Sequence, residues 1–267
     1  MSDYGADLFK GTAGYYSRYR PPYPSSLIRF LVNEFSLNGE GRLLDLGCGT
    51  GQLALRFSDW FEEIVGVDTE SEMLDEANRF SNYKRLDHAR WLQGRAEEHV
   101  SDWGSFRLII IAKAFHWMDR ASILEILHNS SDTNGGIAII DNYNEEQEPL
   151  LWQLKVNEVV KRWLGDARRA GNSTYTPPKE RYEDIVRKSR FKNVQRHILP
   201  SYSYTWTVDS IIGNLYSTSF ASRRFFGDNL VRFENDLKSV LLDVDSTGVF
   251  TEELSVSVIT AKKILTF

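Results

Sequence analysis

The apolar positions of the chain fall into two alternating rhythms: short runs buried on both sides and longer runs at helical spacing. After an opening stretch, 1–24, rich in Tyr, Gly and Pro, the residues Leu27, Ile28, Phe30, Leu31, Val32 and Phe35 follow a helical period from Ser25 or Ser26 to the Asn38-Gly39 stop. Strands are then predicted over 42–46, 63–68, 89–94, 106–112 and 136–142, the last following an Asn134-Gly135-Gly136 turn. Between them the pattern predicts helices over 52–61, 71–79 and 122–128. Strands alternating with helices imply a parallel sheet with right-handed crossovers and a ligand crevice at the carboxyl ends of the strands.

Beyond Asn142 the rhythm breaks. A helix is expected over 148–164, a loose segment over 165–178, and two late strands over 193–206 and 252–265. These two are read as an antiparallel pair enclosing helical segments over 208–242.

Composition narrows the class. At 267 residues with 42% hydrophobic positions, the chain can bury a substantial core. Its 32 Lys and Arg against 37 Asp and Glu give a net charge of −5, which argues against nucleic acid as the main partner. One cysteine, Cys48, offers no internal disulfide and no thiolate cluster, and no apolar run approaches the ~20 residues of a membrane span. The expectation is a cytoplasmic protein without membrane or nucleic-acid partners, a monomer or a homodimer. No pair of its five histidines lies at metal-ligand spacing, and no metal is expected.

The densest chemical signal is Leu43-Leu44-Asp45-Leu46-Gly47-Cys48-Gly49-Thr50-Gly51, a strand ending in an acid and then glycine at alternate positions. Glycines there allow a sharp turn and close approach of the backbone to a ligand. Their even spacing differs from the Gly-x-Gly-x-x-Gly of dinucleotide sites, and Asp45 suits a ligand with a cationic amino-acid end. A second acid, Asp68, ends the next strand, where a carboxylate can accept from both hydroxyls of a ribose. Asp68 can equally serve as an N-cap for the helix that follows, and the glycines as a plain turn of another α/β protein. Met73 is placed against an adenine, with the Ala96 amide and the Glu97 carboxylate at the base edge. His116, beside Phe115 and Trp117, is either a packed side chain or a group at the reaction centre that takes a proton from, or orients, an acceptor hydroxyl. Arg18 and Arg20 among Tyr15, Tyr16, Tyr19 and Tyr23 suggest a covering arm that holds a carboxylate.

Asp45 to Gly51, followed by Val65-Gly66-Val67-Asp68 and Met73-Leu74, resembles the class I S-adenosylmethionine-dependent methyltransferases. Phe9, Gly11, Ala13, Tyr16, Tyr19-Arg20-Pro21 and Tyr23-Pro24, with Ala114-Phe115-His116-Trp117-Met118-Asp119, resemble the small-molecule members related to trans-aconitate methyltransferases. The resemblance implies a Rossmann-like, doubly wound α/β fold with seven mostly parallel strands, the last antiparallel, and a helical and aromatic lid. It divides the chain into a cover segment (1–41), a cofactor core (42–143), a lid insertion (144–190) and a closing region (191–267). It implies S-adenosylmethionine held by Asp45, Gly47, Gly49, Gly51, Asp68, Met73, Ala96, Glu97 and Ala112. A small acceptor would meet Tyr16, Tyr19, Arg20, Trp117 and Arg223, with His116 at the reaction centre. Lys113 stands where that group has a small or polar residue, and Arg95 where many members have Asp. Base methylation of nucleic acid would call for Asn or Asp followed by Pro-Pro and an aromatic after the fourth strand, where this chain has Ala114-Phe115-His116-Trp117. An NAD-dependent oxidoreductase and a non-catalytic nucleoside sensor are the alternatives.

Overall fold

A computed structural model describes residues 8–95, 104–141, 148–167, 169–170, 173–174 and 180–264. The five expected strands form: β1 (Arg42–Leu46), β2 (Glu63–Asp68), β3 (Ala89–Gln93), β4 (Phe106–Ala112) and β5 (Ser131–Asp141). β5 begins five residues earlier than the pattern suggests, passing through Asn134-Gly135-Gly136 with a register shift against β4 instead of turning there. Two-residue strands β6 (Arg169–Ala170) and β7 (Ser173–Thr174) follow, then β8 (Lys192–Ile198), β9 (Tyr202–Thr207), β10 (Val249–Leu254) and β11 (Ser257–Lys262). The main sheet has seven strands in the order β3-β2-β1-β4-β5-β11-β8, with β11 antiparallel to both neighbours.

The late region departs from its expected form. Each of the two predicted late strands is divided in the structure, one at Leu199-Pro200-Ser201 and the other at Ser255-Val256. Pro200 carries no N–H for a ladder and ends the run. The inner halves, β8 and β11, complete the sheet, while the outer halves, β9 and β10, pair as a separate ribbon.

Eight helices are described: α1 (Ala13–Tyr19), α2 (Ser25–Glu34), α3 (Ser71–Lys84), α4 (Arg120–Asn129), α5 (Leu151–Leu164), α6 (Tyr182–Arg187), α7 (Val208–Tyr216) and α8 (Leu230–Val244). The helix expected over 52–61 is a 3₁₀ helix, Ala54–Trp60. At about 2.0 Å per residue its seven residues span ~14 Å, against ~10 Å for an α-helix, which better returns the chain along a five-residue strand.

Period-2 alternation sends side chains to both faces of the sheet, and both faces are buried. Leu43, Ile64, Leu108, Ile110, Ala138 and Ile140 meet Leu27 and Leu31 of α2, Phe35 just after it, and the 3₁₀ helix on one side. Leu44, Leu46, Val65, Ile109, Ile111, Ile137 and Ile139 meet Ile123, Leu124 and Leu127 of α4 and Val186 of α6 on the other. A third core joins Val156, Val159 and Val160 of α5 to α7, α8 and the β9–β10 ribbon through Trp206, Ile211, Phe233, Leu237 and Phe250. The opening arm bridges this cap and the sheet, because α1 packs on both α7 and α3.

Candidate active site

The site begins where β1 and β2 end side by side, since Leu46 pairs with Val67 in parallel register. The Gly47 and Cys48 amides both donate to the Val67 carbonyl, at 2.8 and 3.0 Å, and fold the loop back over β2. Asp68 continues the clamp: Oδ2 accepts from the Gly49 amide at 2.8 Å and Oδ1 from the Glu70 amide at 3.0 Å. Its side chain therefore orders the loop and the approach to α3, while the N-cap position of α3 is occupied by Glu70.

The three loop glycines, all at positive φ, serve different ends. A Cβ on Gly47 would lie 2.3 Å from the Ala114 Cβ, so this position admits no side chain beside the turn after β4. A Cβ on Gly51 would lie 2.5 Å from Cη2 of Trp91, whose Nε1 is fixed by Ser81 Oγ at 3.0 Å. The space at Gly51 is thus occupied by a protein side chain, a packing role that the sequence pattern did not separate from ligand approach. Gly49 alone faces the crevice, with the Tyr16 ring 3.6 Å from where its Cβ would be.

Asp45 is the most perturbed acid. It is 1% exposed, its Oδ1 has no hydrogen-bond partner, and burial, with Asp68 second, pushes its pKa up to about 8. The Ala54 amide opposes this; a carboxylate with one oxygen unpartnered in so dry a site is costly, and a cationic group is what would offset it. Burial also raises Asp68, with the Glu70, Gly49 and Thr69 amides opposing.

The arm closes the crevice from above. Phe9 donates its amide to Glu70 Oε1 at 2.9 Å, Gly11 donates to Glu72 Oε2 at 2.7 Å, and the Ser17 carbonyl accepts from Gln52 Nε2 at 2.9 Å. Tyr16 and Tyr23, raised chiefly by burial, lie within electrostatic reach of Asp45 and Arg20. Arg20 stacks over Tyr16 with Cζ 4.9 Å from the ring centroid, donates from Nη2 to the Ser217 carbonyl at 3.2 Å, and buries an Nε without a partner.

The remaining candidates are distributed differently. Tyr19 packs on α7 where Gly213 leaves room, and stacks on Tyr15 at 6.2 Å. Arg223 is exposed, donates to Tyr15 Oη at 2.7 Å and lies 5.8 Å from the Tyr216 ring centroid, so its contacts are with the outer side of α1 and with α7 and not with Tyr16 or Tyr23. Met73 is buried on α3, and Ala112 is the half-buried last residue of β4. His116 lies on a 3₁₀ turn (Phe115–Trp117) with its ring 4.2 Å from that of Trp117, which meets Phe9 edge-on at 6.4 Å. Ala96 and Glu97 lie outside the described residues. Among the described residues no group of three His, Cys, Asp or Glu could hold a metal ion, and no helix is long and apolar enough to cross a membrane.

Two site features escape a reading of local sequence. Glu70 and Glu72 bind the arm across 61 residues, and Lys113, Tyr23 and Asp141 converge from three elements. The departure at Lys113 was the one local signal for the second.

A model of a methyltransferase domain matches residues 43–133, from β1 to the start of β5. An uncharacterized methyltransferase of Mycobacterium tuberculosis is 29% identical over 212 residues, 79% of this chain and 76% of the relative. A probable S-adenosylmethionine-dependent methyltransferase of Saccharomyces cerevisiae is 30% identical over 128 residues, 47% of this chain and 44% of its own length. The structure of a putative type II methyltransferase from Anaeromyxobacter dehalogenans, 23% identical, superposes with a TM-score of 0.58 over 93% of this chain and all of that one, which shows a shared fold. With a methyltransferase domain matched across the sheet, and relatives named as methyltransferases, the chain is an S-adenosylmethionine-dependent methyltransferase.

Proposed function

We propose that this enzyme methylates a small acceptor carrying an anionic group, in the crevice between the arm and the ends of β1, β4 and β5. The carrying observation is Arg20: an arginine brought over Tyr16 beside the cofactor acids, with a buried Nε that no protein group accepts from. A carboxylate is the ligand that a planar guanidinium fork suits. The likeness of the arm and of Ala114–Asp119 to the trans-aconitate methyltransferase-like group supports an acceptor of metabolite size.

The residues at the strand ends fit the cofactor. The unpartnered Asp45 Oδ1 would take the ammonium of its methionine end and Asp68 the ribose hydroxyls, with Gly49 packed against the Tyr16 ring above them. Bound there, S-adenosylmethionine supplies an electrophilic methyl group on a sulfonium. The chain then has to place the acceptor in line with that methyl and exclude water. Tyr16, Tyr23, Trp117 and Phe9 provide the apolar cover, Arg20 anchors the anionic end, and His116 beside Trp117 orients the acceptor. Cys48, buried as a free thiol, suits a reducing cytoplasm.

Methyl transfer from S-adenosylmethionine should be screened against carboxylic acids, phenols and amines. Turnover is expected with compounds that carry a carboxylate, and Arg20→Ala should raise KM for them at least tenfold, in line with the ~1.5–3 kcal/mol of a charged hydrogen bond. Turnover of amines alone, indifferent to Arg20→Ala, would overturn this reading.

A further inference from the structure

Lys113 is a buried amine of the crevice to which neither cofactor binding nor anion anchoring gives a task. It follows the last residue of β4, with its backbone in the left-handed region at φ +57° and its amide donating to the Ile140 carbonyl at 3.0 Å. A non-glycine residue there costs about 1 kcal/mol or more and persists where its surroundings fix it. It stands at the end of β4, the strand between β1 and β5. Asp45 is level with Ile110 and Ala112 with Ile140, so Lys113 lies between Gly47 and its neighbour Cys48 on one side and Asp141 on the other. The ammonium stands 5.6 Å from the centroid of Tyr23, whose carbonyl is held by Arg56.

The groups that face it are Arg20 and Tyr23 from the arm and Asp141 from β5. Burial is the largest influence and favours the neutral amine; the like charge of Arg20 adds to it and exceeds the opposing pull of Asp141. The result is a pKa lowered from 10.5 to about 7. A lysine of this kind has the basicity of a general base near neutral pH.

We infer that Lys113 is a catalytic residue, the base that takes the proton from an acceptor hydroxyl, so that the methylated atom is a phenol or enol oxygen and not the carboxylate held by Arg20. Within the reading above, an amine acceptor would enter as a cation against Arg20, and a carboxylate has no proton to surrender. As the O–H bond breaks, its proton passes to the neutral Nζ. The oxygen pair forms the new O–CH₃ bond, and the C–S pair returns to sulfur, leaving a thioether. Lys113 then sheds its proton to water.

The test uses the full chain with S-adenosylmethionine and the three isomers of hydroxybenzoate, each carrying a phenol and a carboxylate. Methyl ethers are expected, with kcat/KM rising through a midpoint near pH 7. Both Lys113→Met and Lys113→Arg should lose about 10²–10⁴-fold in kcat while binding S-adenosylhomocysteine as the parent does. Methyl esters as product, or retention of activity by Lys113→Arg, would overturn the proposal, the latter because a permanent cation can anchor but cannot accept a proton. A second measurement needs no turnover: dinitrofluorobenzene labelling of Lys113, followed by peptide mass spectrometry in protein saturated with S-adenosylhomocysteine. Labelling with a midpoint near pH 7 is expected; a midpoint near pH 10, or complete protection by the bound product, contradicts a neutral amine on the acceptor side. If none of the isomers is methylated, the labelling decides. Failure of S-adenosylhomocysteine to bind the parent protein would instead strike at the cofactor site itself.

Discussion

At the scale of single residues, Asp45 is the pivot of the proposed site, because a raised pKa would couple proton to cofactor binding. In the folded, ligand-free enzyme the carboxyl holds its proton up to about pH 8, while in the unfolded chain it ionises near pH 4. The folded state therefore binds more protons across that window, and this group's contribution to stability falls as pH rises from about 4 to 8. Binding a cationic ligand ionises Asp45, so below pH 8 a proton is released and affinity climbs with pH, approaching about tenfold per unit. Isothermal titration with S-adenosylhomocysteine in buffers of different ionisation heat should register that proton at pH 6.5 but not near pH 9, and Asp45→Asn should remove both the release and the slope. Asp68→Ala should weaken the cofactor by about 1.5–3 kcal/mol, and should also free the Gly49 and Glu70 amides, visible as faster exchange. Both acids stand out in sequence because strand, acid and glycines are consecutive. The differing roles of Gly49 and Gly51 do not, since Trp91, which occupies the space at Gly51, comes from a strand forty residues on.

Elements bring a second set of consequences. Gly51→Ala would drive a Cβ into the Trp91 ring at a left-handed backbone position, and a loss of about 2–4 kcal/mol is expected, read as a lower Tm or denaturation midpoint. The arm offers a milder lesion. Glu70→Gln with Glu72→Gln keeps the shape of both anchors but weakens the acceptors of the Phe9 and Gly11 amides. Hydrogen exchange of residues 8–20 should rise in the double variant and fall in the parent when S-adenosylhomocysteine fills the crevice. Equal exchange in all three would show the arm to be fixed by its packing on α7 and α3 and not by these anchors or the ligand. These anchors could not be foreseen from the arm's own sequence, which shows its tyrosines and prolines but not the acids of α3. The divided late strands follow the same logic: alternation announces an antiparallel pair, and only the tertiary fold tells which half joins the sheet and which the ribbon.

For the whole molecule, a parallel sheet is readable because buried strands and helices alternate, and each face of the sheet finds its own helices, whereas the strand order is not. The cap is less readable than the parallel sheet, because its core is assembled from α5, α7, α8 and two ribbon strands separated by up to about ninety residues, with no local signal for their meeting. The account as a whole stands on one claim: the acid-flanked glycine turn beneath the arm binds S-adenosylmethionine through Asp45. The most direct measurement is calorimetric titration of S-adenosylhomocysteine into the parent protein and Asp45→Asn at pH 7. The account predicts micromolar binding with proton release in the parent, and binding at least tenfold weaker without release in the variant. No binding by the parent, or binding of NADH in its place, would contradict it.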